Sequence, residues 1–176
     1  MRVTPKIMPI IKVPDPILRQ TAIPVAEITD GTRQLLDDMA ATMYNAPGIG
    51  LAAPQVNLSQ RVIVIDCGKD DEPELRKMVN PEIVSASDTR SIVEEGCLSI
   101  PDQTADVERP AEVKVRYLDE NGDSQSLVAT GLLATCVQHE IDHLNGVLFI
   151  DHISRLKRDM IMRRILKEMR QYTSRK

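Results

Sequence analysis

Apolar residues recur at helical spacing at Leu35, Leu36, Met39, Ala40 and Met43, after Thr29-Asp30 and before Pro47-Gly48. A cap signal at one end and a Pro-Gly breaker at the other predict one amphipathic helix there. From Arg61 to Asp66, Lys77 to Ser85 and Glu112 to Leu118 the chain is instead rich in Val and Ile, over runs too short for helices. Branched side chains suit a pleated surface, so these runs are predicted strands and the middle of the chain is mostly sheet. Asp119-Glu120-Asn121-Gly122-Asp123 lies between Val115-Arg116-Tyr117-Leu118 and Ser126-Leu127-Val128-Ala129. This reads as a hairpin, because Asn-Gly tolerates the positive φ of a tight turn. Helical periodicity returns over residues 131–145, and a last helix is predicted from Ser154, a good N-cap, to Gln171, with Ile161, Ile165 and Met169 on one stripe. With no repeat or linker, strands flanked and followed by helices predict one α+β domain over residues 1–176.

At 176 residues the chain can bury a core without disulfides. No apolar run nears the roughly 18 residues of a membrane span, so the protein is expected to be soluble. The start, M-R-V-T-P-K-I-M-P-I-I-K-V-P, is broken by three prolines and has neither a signal-peptide cleavage pattern nor transit-peptide character, which predicts a cytoplasmic protein. Three scattered cysteines make no disulfide framework and leave metal binding, catalysis or burial open for each. The net charge of -4 is unevenly placed: residues 154–176 carry nine Lys/Arg against Asp159 and Glu168, a net of +7, leaving -11 on the rest. An acidic body with a basic tail suits contact between that tail and nucleic acid or an acidic surface.

Gln138-His139-Glu140-Ile141-Asp142-His143 contains H-E-x-x-H inside the helix predicted for residues 131–145. Histidines at i and i+4 share a helix face, so both imidazoles can reach one metal ion with the intervening Glu beside the open coordination position. A helix whose histidines merely face solvent or core is the plainer alternative. A catalytic site of this kind wants a third protein ligand. His152 lacks the Gly-x-x-His context of one protease class, and Glu168 is expected to offset Arg164 at i-4. Upstream, Glu95-Gly96-Cys97-Leu98-Ser99 offers a soft thiolate after a glycine, so Cys97 is the better third ligand, although a lone Cys is more often simply buried. Cys67 and Cys136 are left in that buried class. A third segment, Gly48-Ile49-Gly50-Leu51-Ala52-Ala53-Pro54-Gln55, can run close to a ligand backbone, and Gln55 could donate to a developing oxyanion. It is no phosphate or dinucleotide loop, since neither G-x-G-x-x-G nor G-K-[ST] follows.

Together, G-I-G-L-A-A-P-Q, E-G-C-L-S and Q-H-E-I-D-H-L-N-G resemble the three signature motifs of peptide deformylases in order and separation. The resemblance runs from Val13-Pro14-Asp15-Pro16-Ile17-Leu18-Arg19 to the C-terminal helix and is to the bacterial type that ends in a helix. It implies mostly antiparallel sheets around a central metal-binding helix, with an N-terminal and a C-terminal helix. It implies hydrolytic removal of the formyl group from the N-terminal formyl-methionine of nascent proteins. One divalent ion per chain, natively ferrous iron and replaceable by zinc, nickel or cobalt, would be held by Cys97, His139 and His143. Glu140 would act as general base on the water that the metal activates, then as acid toward the leaving amine. Gln55 and the Leu98 backbone N–H would stabilise the oxyanion. Ile49, Gly50 and Gly96 would pair with the peptide backbone as an added strand.

Leu132 and Cys136, on the His139–His143 stripe, could line a methionine pocket with Ile49, or simply pack in the core. Glu95 and Arg109 are expected to pair near the metal loop, as similar positions do in the family, or to form a solvated surface pair. The chain departs from some relatives at Thr104, where a basic residue is common, and at Pro54; both bear on preference beyond methionine. The basic C-terminal helix is expected to dock on the ribosome, or to be a solvated face over an apolar stripe. A monomer is expected. The rival readings are a zincin-like endopeptidase, a ribosome-associated factor with a structural metal site, and a cysteine hydrolase using Cys97 and His139.

Overall fold

The computed structural model describes residues 3–175; Met1, Arg2 and Lys176, counted above in the apolar start and the basic tail, lie outside the described residues. Three α-helices, α1 (Asp30–Asn45), α2 (Gly131–Leu144) and α3 (Arg155–Thr173), combine with seven strands. These are β1 (Gly50–Ala52), β2 (Val62–Asp66), β3 (Leu75–Ala86), β4 (Arg90–Cys97), β5 (Ile100–Pro110), β6 (Glu112–Leu118) and β7 (Ser124–Thr130). All strand pairs are antiparallel, in a five-stranded sheet of order β1-β2-β3-β6-β7 and a separate β4-β5 pair. The architecture is α+β with α2 central, as the pattern and the resemblance imply.

The run Val62-Ile63-Val64-Ile65 explains the layering, because alternate side chains leave opposite faces of a strand. Val62 and Val64 join Leu36, Met39 and Met43 of α1 in one core, while Ile63 and Ile65 join Val137, Ile141 and Leu144 of α2 in another. All four are fully buried, which stabilises by roughly 1.5–3 kcal/mol for each such side chain. A third core gathers Val13 and Leu18 from the N-terminal segment, Ile100 and Val107 of β5, Phe149, and Ile161 and Ile165 of α3.

Local signals fix the element ends. Thr29 caps α1 through a reciprocal box with Thr32, and Ser154 caps α3 by accepting from the Lys157 N–H. Asn80 and Pro81 break the register between β3 and β6. Asn80, at φ 51°, spends its side chain holding both backbone groups of Val25, at 2.8 and 2.9 Å. The β6-β7 hairpin forms around the expected loop, residues 119–123, in which Gly122 and not Asn121 has a positive φ and the Asp119 carboxylate accepts from the N–H groups of Asn121 and Asp123.

Two expectations need correction, and the expected Glu95–Arg109 pairing near the metal loop holds over its alternative. Met169 is 46% exposed, so the buried stripe of α3 ends at Ile165 and the last turns project from the body. Among the described residues Arg164 and Glu168 form no ion pair; the pair on this helix is Arg155–Asp159, 3.8 Å apart. The Glu95–Arg109 pair is not a solvated surface pair, since both side chains are at most 5% exposed.

Candidate metal centre

β4 ends at Cys97, where the pairing slips from Gly96–Thr104 to Cys97–Ile100. On α2, His139 and His143 stand one turn apart with ring centroids separated by 5.0 Å. One donor atom from each of Cys97, His139 and His143 falls within 4.8 Å of the others, and Cys97 Sγ lies 3.3 Å from His143 Nε2. Thiolate and two imidazoles form a set suited to a borderline divalent ion, and three protein ligands leave a coordination position free. The site passes a second test of fit. Glu140 Oε2 and His143 Nδ1 are buried without a hydrogen-bond partner among the described residues, although buried polar atoms nearly always have one.

A chain of buried charge orients the ligands. His139 Nδ1 meets Glu95 Oε1 at 2.9 Å, leaving Nε2 to face the thiol. Arg109 grips Glu95 through both oxygens, at 2.7 and 3.0 Å, and reaches Asp142 Oδ2 at 2.8 Å. Asp142 in turn holds His152 Nε2 at 2.8 Å, which accounts for His152 without a ligand role. Burial alone would raise the Glu95 pKa, but the bonds from His139 and Arg109 outweigh it and hold Glu95 ionised. Burial likewise opposes charge on His139, yet Cys97 and Glu95 raise its pKa well above the ordinary value. His143 goes the other way: burial, then the nearby His139 charge, lowers it well below the ordinary range and keeps a nitrogen lone pair available. Burial also pushes Glu140 up to about 7.

The first motif closes the site from the other side. A Cβ on Gly50 would collide with Glu140 Oε1, so only glycine lets this backbone pass the carboxylate. Gln55, 1% exposed, is locked by the Ala52 N–H donating to its Oε1 at 2.9 Å. Its amide nitrogen then points to Ser99 Oγ at 3.1 Å and to Cys97 Sγ at 3.6 Å.

A cleft of about 510 Å³ opens over these groups. It brings together Ile49, Gly50, Gln55, Gly96, Cys97 and Leu98 with His139 and Glu140, while Leu132 and Cys136 form part of the wall. His143, 1% exposed, sits behind that wall. Leu132 is 52% exposed and belongs to the rim, whereas Cys136 is buried and serves core and cleft at once. One participant, Ser99, and one bond of Glu95 escaped the sequence reading. Ser99, fully buried, links Gln55 to the Ile11 carbonyl. Glu95 holds His139 as well as Arg109, and the signal was period-two spacing, which sets Glu95 beside Cys97 on one strand face.

No helix among the described residues is long and apolar enough to cross a membrane. A peptide deformylase of Mesorhizobium japonicum is 59% identical over 162 residues, 92% of each chain, and one of Brucella suis is 57% identical over 171 residues, 97% of this chain and 98% of that one. The crystal structure of peptide deformylase from Ehrlichia chaffeensis matches with a TM-score of 0.91 at 35% identity, over 96% of this chain and 99% of that one. One from Legionella pneumophila gives 0.88 at 45% identity, over 97% and 99%. The family model described as polypeptide deformylase matches residues 7–159, and on these likenesses the chain belongs to the polypeptide deformylase family.

Proposed function

We propose that Cys97, His139 and His143 hold one divalent ion, that Glu140 handles the proton, and that the cleft above them binds the formyl-methionyl end of a nascent chain. The reaction, hydrolysis of the formyl amide with release of formate, is that of the metal-dependent family to which the chain belongs. A bound divalent cation supplies Lewis acidity, which acidifies water and polarises the formyl oxygen. Ferrous iron is the native ion in this reading, and zinc, nickel or cobalt can occupy the same ligands in preparations.

The observation that carries the reading is the Glu140 carboxylate, buried beside the three ligands with Oε2 lacking a hydrogen-bond partner among the described residues. With its pKa raised to about 7, Glu140 can accept a proton from the attacking water at Oε2 and return it to the leaving amine near neutral pH. The Gln55 amide, aimed at the Cys97 side of the cleft, and the Leu98 N–H stabilise the oxyanion. Ile49, Gly50 and Gly96 offer backbone groups to an extended peptide, and Cys136, Leu132 and Ile49 surround its methionine side chain. Residues 1–176 act as one catalytic unit, a cytoplasmic monomer whose exposed basic α3 docks on ribosomal RNA.

The decisive assay is formate release from a formyl-Met tripeptide by protein purified without oxygen and loaded with ferrous iron, beside Glu140→Ala protein shown to hold the same metal. Release abolished in the variant supports the assignment. No release from wild type holding one ion per chain overturns it and turns attention to peptide-bond cleavage.

A further inference from the structure

Cys67 follows β2 directly and Cys136 lies on α2 in the cleft wall, and neither thiol has a part in metal binding or proton transfer. Alternation along β2 gives Ile63, Ile65 and Cys67 the same face, the one packed on α2, and Cys67 packs against the core that contains Cys136. The Asp66 N–H donates to the Ile49 carbonyl at 2.9 Å, and the Cys136 thiol reaches the same oxygen at 3.6 Å. One carbonyl thus ties the end of β2 to the Cys136 sulfur, and the two thiols lie near enough for each to shift the pKa of the other. The neighbouring Cys136 lowers the Cys67 pKa, while Cys67, followed by burial, pushes Cys136 far up. Cys67 is half-buried, and Cys136 is enclosed at 5% exposure. The accessible sulfur is therefore also the more nucleophilic one.

We propose that Cys67 and Cys136 are a peroxide-sensitive thiol pair that oxidises to a disulfide in the wall of the methionine pocket. The Cys67 thiolate attacks one peroxide oxygen, the O–O bond breaks, and hydroxide leaves behind a sulfenic acid. That hydroxide takes the Cys136 proton and becomes water. The Cys136 sulfur then attacks Cys67, the S–O bond breaks, and the second hydroxide takes up the proton that Cys67 lost. Two thiols are oxidised and one peroxide is reduced to two waters. The new bond pulls the Cys136 sulfur from the Ile49 carbonyl and so reshapes the pocket wall, a consequence that rests on the cleft being the methionine site. Cys97, committed to the metal, takes no part.

The test uses nickel-loaded protein, so that peroxide meets no readily oxidised iron, with and without Cys67→Ser. After hydrogen peroxide treatment, proteolysis and mass spectrometry are expected to reveal a fragment joining Cys67 to Cys136, two hydrogens lighter than its parts and released by dithiothreitol. The KM for a formyl-Met peptide is expected to rise several-fold on oxidation and to recover on reduction, with Cys67→Ser unresponsive. Oxidation of Cys97 ahead of any cross-link, or no cross-link in protein that retains its nickel, overturns the pair. A cross-link with unchanged KM upholds the pair and overturns its position in the pocket wall.

Discussion

The tightest constraint on a single residue is at Gly50. An added Cβ would stand against Glu140 Oε1 and 2.9 Å from its Cγ and Cδ, while at Gly96 the nearest atom, Thr104 Cγ2, is 3.4 Å away. Gly50→Ala is therefore expected to displace Glu140 and lower kcat/KM about 100-fold or more, the scale of a lost general base, without loss of metal. Gly96→Ala serves as the comparison, and equal losses in the two variants would refute the steric account. Glu140 also makes a pH prediction for the metal-free protein. Its folded pKa, about 7, lies above the ordinary 4.5, so the folded chain holds the proton more tightly than the unfolded one. The stability gained from this proton is present below the unfolded pKa and is lost as pH rises toward 7, a swing of about 3 kcal/mol. Glu140→Gln should then raise the Tm of metal-free protein near pH 8 and change it little near pH 4.5. Thermal scans of both proteins across that interval check the sign.

At the level of elements, the β4-β5 pair and α2 are joined by charge rather than by apolar contact. Arg109 of β5 holds Glu95 of β4 and Asp142 of α2. Arg109→Ala would leave the Glu95 carboxylate buried with its cationic partner gone, and the expected loss is about 3–5 kcal/mol, read from the urea midpoint. The same chemistry explains what the sequence left unread. The inward positions of this pair include Glu95, Gln103 and Arg109, all buried, so neither the continuous apolar run that marked β2 nor the apolar alternation of β6 is present, and neither β4 nor β5 was predicted. Helices α1, α2 and α3 were legible from period and caps, and the two histidines from their i, i+4 spacing. The approach of Cys97 to them depends on a register slip in β4-β5, a tertiary fact that no local pattern contains. The role of Ser99 was hidden for the same reason, because its partners Gln55 and Ile11 lie far away in the chain.

Across the whole molecule, α3 serves two ends. Its first half buries Ile161 and Ile165 in the third core, and its second half projects with Lys167 and Arg170 exposed, followed by the exposed Arg175 beyond its end. Ending the chain after Ile153 removes both buried isoleucines, at roughly 1.5–3 kcal/mol each, and should lower Tm. Ending it after Lys167 should leave Tm unchanged while weakening ribosome co-sedimentation at low salt, since Arg170, Arg175 and Lys176 are gone. Full binding by that shorter chain, or binding indifferent to salt, would exclude phosphate contacts by these residues. The cleft lies beside the outer edge of β1, a strand of three residues that runs into the Pro54 turn. An unpaired edge invites pairing with other chains, and the hazard grows with its length. So short an edge offers too few donors and acceptors to recruit a second copy of the protein, yet enough for a loose chain end. If the substrate pairs there as proposed, the edge sets a deadline: a formylated terminus is processed while it is still an unfolded thread, and once folding ties it into its own domain the reaction is over.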